Sequence, residues 1–270
     1  MKMKNGYKNG FILFGFILFL YTIYYHGLEE LVAQFQPSET STCSVVDTDM
    51  YYINLDASKA RIPHIEEELR RFSCNNKTGK VIRIPAVAKK NGAKGCALSH
   101  AKALYAIHNS DNAKKKGYGF VFEDDAALAI SSNVARVRIQ NAMREIENMG
   151  TKWDVLMPFY AGFLYADEPP SSKNIVKMLS CVQAHAYIVR HGYAKELADF
   201  YTKVAEDMDE TVYKPGSALD VRNKVMMKKD QWFRVKMPLY SNLKGPSIFK
   251  QMSASTTDRK FISTTVNSPA

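Results

Sequence analysis

No internal repeat at periods of roughly twenty to fifty residues is present, which excludes a solenoid or a propeller. No C-x-x-C pair occurs, so the four cysteines do not spell a zinc module. There is neither zinc-finger spacing nor an aromatic-interleaved arginine pattern, and no nucleic-acid partner is indicated. Proline is sparse, at 10 of 270 residues, against 15 Tyr and 14 Phe. A disordered chain is excluded on that balance. Acid is also in short supply, and the formal net charge is +10.

What is present supports one good-sized core, since 46% of the residues are hydrophobic. The first 40 residues carry Lys2, Lys4 and Lys8 against Glu29, Glu30 and Glu39, so the basic excess belongs to the remainder. One reading of that excess is a solvated basic surface. The other is an acidic partner, for which a phosphorylated small molecule or a membrane face is favoured.

Residues 1–9 contain lysine and no acid, and Phe11 to Tyr25 are fifteen residues without a charge. A membrane span needs about 17–25 apolar residues, and residues 10–28 reach the short end of that range. No small-residue cleavage pattern follows, so an uncleaved signal anchor is preferred to a cleaved signal peptide. The preceding lysines place the N-terminus in the cytoplasm and the bulk of the chain in a lumenal or extracytoplasmic space. This predicts a single-pass membrane protein, with a stem over 29–46 and one globular domain over 47–270. In an oxidising compartment Cys43, Cys74, Cys96 and Cys181 allow two bridges in three connectivities. Asn76-Lys77-Thr78 is a glycosylation sequon.

Within the domain, strands alternate with helices. "MYYINL", "KVIRIPAV", "GYGFVFEDD", "WDVLMPF" and "AHAYIVR" read as strands. "SKARIPHIEEELRRF" places Ile62, Ile65, Leu69 and Phe72 on one helical face. Further helices are expected after Gly95, between a serine cap and Gly150, and over "GYAKELADFYTKVAED". The pattern predicts an α/β fold, a mixed and mainly parallel sheet flanked by helices. In open sheets of this kind ligands bind beyond the carboxyl ends of the strands.

One such end is "FVFEDD", where three carboxylates follow an apolar strand. Alternate side chains share a face, so Glu123 and Asp125 point one way and Asp124 the other. Two carboxylates at i and i+2 suit a hard divalent cation, Mn²⁺ or Mg²⁺. The plain alternative is an acidic turn.

The motifs around this triplet resemble glycosyltransferase family 25, the lipooligosaccharide and collagen galactosyltransferase type. "INLDASKAR" spans Ile53 to Arg61, "PAV" Pro85 to Val87, and "GCALSH" Gly95 to His100. "FVFEDDA", "WDV", "AHAYIV" and Asp220 in "ALDVRN" follow in the family's order. The likeness covers roughly residues 50–252. It departs from the family at Lys94, where an acid is usual, at Val221, and in a loosened "PLYSNLKGPSIFKQ".

The resemblance implies a GT-A-like nucleotide-sugar domain. It implies transfer of a sugar, commonly galactose from UDP-galactose, to a hydroxyl of a glycan, glycolipid or glycoprotein acceptor. Glu123 and Asp125 would hold Mn²⁺ and the donor diphosphate. Asn54, Asp56, Arg61, Ser99, His100 and Asp124 would lie around the donor, and Asp220 would serve as the base of an inverting transfer. Each has an ordinary counterpart: Arg61 as a helix-start charge, His100 as a packed core residue, Asp220 as a helix cap. His185 is placed on the acceptor side. A catalytically silent relative that binds glycans or scaffolds other proteins is the competing class. A metal-dependent phosphoesterase is weaker, because the six histidines are scattered.

Overall fold

The computed structural model describes residues 43–74, 79–158, 164–165, 172–180, 184–214, 216–236 and 249–251. The expected tail, anchor and most of the stem lie outside them, as do Asn76 and Cys181. Among the described residues no helix is long and apolar enough to cross a membrane.

The elements follow in chain order: β1 (Met50–Asn54), α1 (Ile62–Phe72), β2 (Val81–Pro85), α2 (Gly92–His108), α3 (Asp111–Lys116), β3 (Tyr118–Glu123) and β4 (Ala126–Leu128). Then come α4 (Ser132–Asn148), β5 (Val155–Met157), β6 (Leu164–Tyr165), β7 (Ile175–Ser180) and β8 (Ala186–Arg190). Last are α5 (His191–Glu206), α6 (Leu219–Lys229), β9 (Trp232–Val235) and β10 (Phe249–Gln251). Short 3₁₀ turns cover Cys43–Val46 and Asp56–Arg61.

The main sheet has the order β2-β1-β3-β8-β5-β9-β7-β6, and β10 pairs with β4 apart from it. β2 with β1, β1 with β3 and β5 with β9 are parallel. β3 with β8, β8 with β5, β7 with β9 and β6 with β7 are antiparallel. The fold is thus a mixed α/β sheet flanked by helices. It is less parallel than the strand-helix alternation suggested, because β8 and β7 enter it against the direction of their neighbours.

The register of β3 decides which helix each of its side chains meets. Phe120 and Phe122 face α1, where their rings stand 5.7 and 6.4 Å from Phe72. Gly119 faces α2 instead. A methyl group there would lie 2.9 Å from Ile107 Cγ1, so only glycine lets the helix approach this closely. Val121 shares the Gly119 face, and Phe120, Val121 and Phe122 are all fully buried. A strand covered on both faces reads as an unbroken apolar run, and "FVF" is one.

Two boundaries differ from the sequence reading. α2 opens at Gly92, not after Gly95, because Asn91 caps it by accepting from Ala93 N. Cys43–Val46, assigned to the stem by composition, is a folded turn with Val45 and Val46 in the core. Cys43 is bridged to Cys74 across a separation of 31 residues, while Cys96 carries a free thiol. Among the described residues Cys43–Cys74 is the bridge that forms, and Cys181 lies outside them. β4, β7 and β9 were not anticipated.

Candidate active site

The site lies at the carboxyl ends of β1 and β3. β3 ends at Glu123, and Asp124 and Asp125 form the turn that leads into β4. Strand parity puts Glu123 on the Gly119 and Val121 face, toward α2. There His100 Nε2 lies 3.2 Å from Glu123 Oε1, and His100 Nδ1 lies 3.1 Å from the Tyr187 hydroxyl. With the carboxylate ionised, Nε2–H donates to Glu123, while Nδ1 donates to or accepts from the Tyr187 hydroxyl according to the protonation of the ring. Tyr187 reaches this place by the same rule. It pairs with Val121 across β3 and β8, so both side chains share the α2 face.

Asp124 turns the other way. It accepts from Asn54 Nδ2 at 2.6 Å and from Arg61 Nη1 at 3.0 Å. Asn54 is a hub with 1% exposure. Its amide also donates to Ser58 O, and its oxygen accepts from Arg83 Nε at 3.0 Å. Arg83 in turn pairs with Asp56, an exposed carboxylate that the guanidinium holds below its ordinary pKa. Arg83 and Tyr187 were not among the expected site residues. Both sit inside strands whose register is not written in local sequence.

The electrostatics separate the acids further. Burial alone would raise the Glu123 carboxyl, but the hydrogen bond and charge of His100, with His185 and Arg61, outweigh it and hold the group low. Asp220 moves in the opposite direction: burial raises it, and the Glu123 charge adds to the effect. The Cys96 thiol is pushed well up by burial and then by Glu123, Asp220 and Asp125. Of these carboxylates, Glu123 lies within 4.8 Å of the Cys96 sulfur.

Each GCALSH residue singled out by the sequence has a definite place. A methyl on Gly95 would lie 2.5 Å from Val87 O, so the helix can pass the "PAV" segment only as glycine. Ser99 Oγ donates to Gly95 O at 2.6 Å and accepts from Val87 N at 2.8 Å. Its hydroxyl thereby joins α2 to the segment after β2. Gly95→Ala is expected to destabilise the fold by about 1–3 kcal/mol, read as a lower midpoint in urea at unchanged slope.

Asp220 sits in the first turn of α6, not before the helix. Ala218 occupies the cap position with no side-chain cap bond, and Asp220 Oδ1 accepts from the adjacent Val221 N. His185 is buried beside Glu123, whose N–H donates to His185 O at 2.8 Å. Lys94, the departure before GCALSH, is also explained. Its ammonium donates to Met208 O and pairs with Glu210 at 2.6 Å, tying the start of α2 to the segment that precedes α6.

No protein-family model matches the chain. No curated protein matches it either. Among solved structures it is similar to A197 from STIV, at 11% identity and a TM-score of 0.36, over 69% of this chain and 80% of that one. It is also similar to a mannose-1-phosphate geranyltransferase from Thermus thermophilus, at 9% identity and a TM-score of 0.32, over 70% and 73%. Likenesses at this level carry no argument about activity.

Proposed function

We propose that the protein is a metal-dependent glycosyltransferase that moves a sugar, galactose from UDP-galactose first among candidates, to a hydroxyl of a glycan, glycolipid or glycoprotein. The observation that carries this reading is the run of acids at the carboxyl end of β3, where Glu123 meets His100 at 3.2 Å and Asp124 meets Arg61 at 3.0 Å. The motifs shared with family 25 supply the reaction class. On the same reading residues 10–28 hold the domain at a membrane.

The donor set suits a divalent cation. Carboxylates are hard ligands, and here the Glu123 charge raises the proton affinity of Asp220. Glu123 and Asp125 would hold Mn²⁺ or Mg²⁺, which would supply charge neutralisation for a leaving diphosphate. The chain's own groups do the rest. His100 fixes the Glu123 carboxylate, and Tyr187 fixes His100. Arg61 and Arg83 bring positive charge to the side where phosphate would lie, held in place by Asp124 and Asn54. Asp220, whose burial raises its proton affinity, takes the acceptor proton.

A screen of nucleotide sugars with Mn²⁺ by thermal shift tests this. A bound donor is expected to raise the melting temperature by mass action, equivalent to about 2.7 kcal/mol at a hundred times its Kd. EDTA should remove the shift. Absence of a shift with every donor would turn the reading toward a silent, glycan-binding relative.

A further inference from the structure

Behind the carboxylates lies a second set of ligand atoms of a different chemical character. Cys96 Sγ, a ring nitrogen of His100 and a carboxylate oxygen of Glu123 all lie within 4.8 Å of one another. We propose that Cys96, His100 and Glu123 form a site for a borderline transition-metal ion, Zn²⁺ by preference, with a fourth position open to solvent or ligand.

Three features carry the proposal. First, Cys96 and His100 stand four residues apart on α2, so the helix presents thiol and imidazole on one face, and β3 closes the set with Glu123. Second, the spacing suits the ion. Two ligands about 2.0–2.1 Å from a tetrahedral Zn²⁺ stand about 3.3 Å apart. His100 Nε2 and Glu123 Oε1 are 3.2 Å apart. Third, the outer contacts are those of a metal-bound histidine. The other ring nitrogen meets the Tyr187 hydroxyl at 3.1 Å, and the two rings stack at 5.7 Å. Such a partner fixes both the tautomer and the ring orientation of a ligating imidazole.

Openness follows from exposure. The His100 side chain is 1% exposed and that of Glu123 is 27%, so the trio is rigid at its base and reachable from the carboxylate side. The thiol gives up its proton to solvent on binding, since thiolate is the ligating form. A thiolate and an imidazole favour Zn²⁺ over Mn²⁺ in the usual affinity order of divalent ions. Because Glu123 belongs to both donor sets, Zn²⁺ here would compete with the Mn²⁺ of the proposed transfer. Only that competition rests on the glycosyltransferase reading; the binding does not.

The test uses the purified full chain titrated with Co²⁺ and then Zn²⁺. The expected result is a near-ultraviolet thiolate-to-cobalt absorption that saturates at one Co²⁺ per chain and is bleached by Zn²⁺. It should vanish in Cys96→Ser and persist in Cys181→Ser and in Asp125→Asn. In Tyr187→Phe the Zn²⁺ affinity, read by competition with a chromophoric chelator, should fall about 10–100-fold. No absorption from the folded wild type, or absorption that survives Cys96→Ser, overturns the proposal. So does an unchanged affinity in Tyr187→Phe. If Mn²⁺ supports transfer while cobalt gives no thiolate band, the cation rests on Glu123 and Asp125 alone; this proposal then fails and the transferase reading stands. If the cobalt band appears and no nucleotide sugar binds, the reverse holds.

Discussion

Asp220→Asn is expected to lower sugar transfer by about 10²–10⁴-fold and at the same time to raise the melting temperature at neutral pH. The two effects have one cause. Burial and the neighbouring Glu123 charge raise the proton affinity of Asp220 in the folded chain above its unfolded value. The folded state then binds more protons than the unfolded state between those two values. The stabilisation that belongs to protonated Asp220 is complete below the unfolded pKa and is lost as pH rises through the folded one. At neutral pH the ionised carboxylate is therefore a burden on the fold. An amide keeps the acceptor for Val221 N without the charge. Melting curves across acid and neutral pH should show the gain at neutral pH and its disappearance in acid. A variant that loses activity and also melts lower at neutral pH would remove Asp220 from this role.

Asn54→Ala should produce the largest loss of stability, about 2–4 kcal/mol, or a fall in melting temperature of roughly 5–15 °C. One substitution removes the 2.6 Å donor to Asp124 and the 3.0 Å acceptor of Arg83. Neither loss is repaired by water, because the residue is buried. Asp124 would then rely on Arg61 alone among the partners described above, and an under-partnered charge at low exposure costs more than a neutral group. Asp56→Ala is the control. It removes a pair to the same Arg83, but the aspartate side chain is 71% exposed, and a surface pair contributes little to stability. Equal effects of the two substitutions in urea unfolding would mean that Asn54 is not the hub described.

Much of the frame was legible in the sequence. β1, β3 and β8 stand out as apolar runs, and α1 and α4 by periodicity and caps. β9 was not legible, because "WFRV" is four residues long, carries Arg234 and follows α6 almost without a loop. β7 alternates weakly after a stretch rich in proline and serine. At the site, alternation along FVFEDD is enough to set Asp124, which meets Asn54 and Arg61, apart from Glu123, which meets His100. The Asn54–Asp124–Arg61 contacts could not be read, since they join residues 70 and 63 positions apart through the parallel pairing of β1 and β3. Cys96 stands within GCALSH four residues before His100, a spacing that puts both on one helical face, but Glu123 joins them only through the packing of β3 on α2.

The alternation along β3 also sets what kind of genetic change this site can absorb. A substitution at Phe120 or Phe122 alters volume and leaves every other side chain facing its own helix. Gaining or losing a single codon between Gly119 and Glu123 would exchange the two sides of the sheet from that point on. Glu123 would turn from His100 toward Arg61, and Asp124 from Arg61 toward His100. All three acids would still be encoded, in order and in number, yet each would be delivered to the wrong address. Gaining or losing two codons would restore the sides and shift only the height. Length variation in this strand is thus constrained to even steps, a limit on its descendants that no comparison of residue types would reveal.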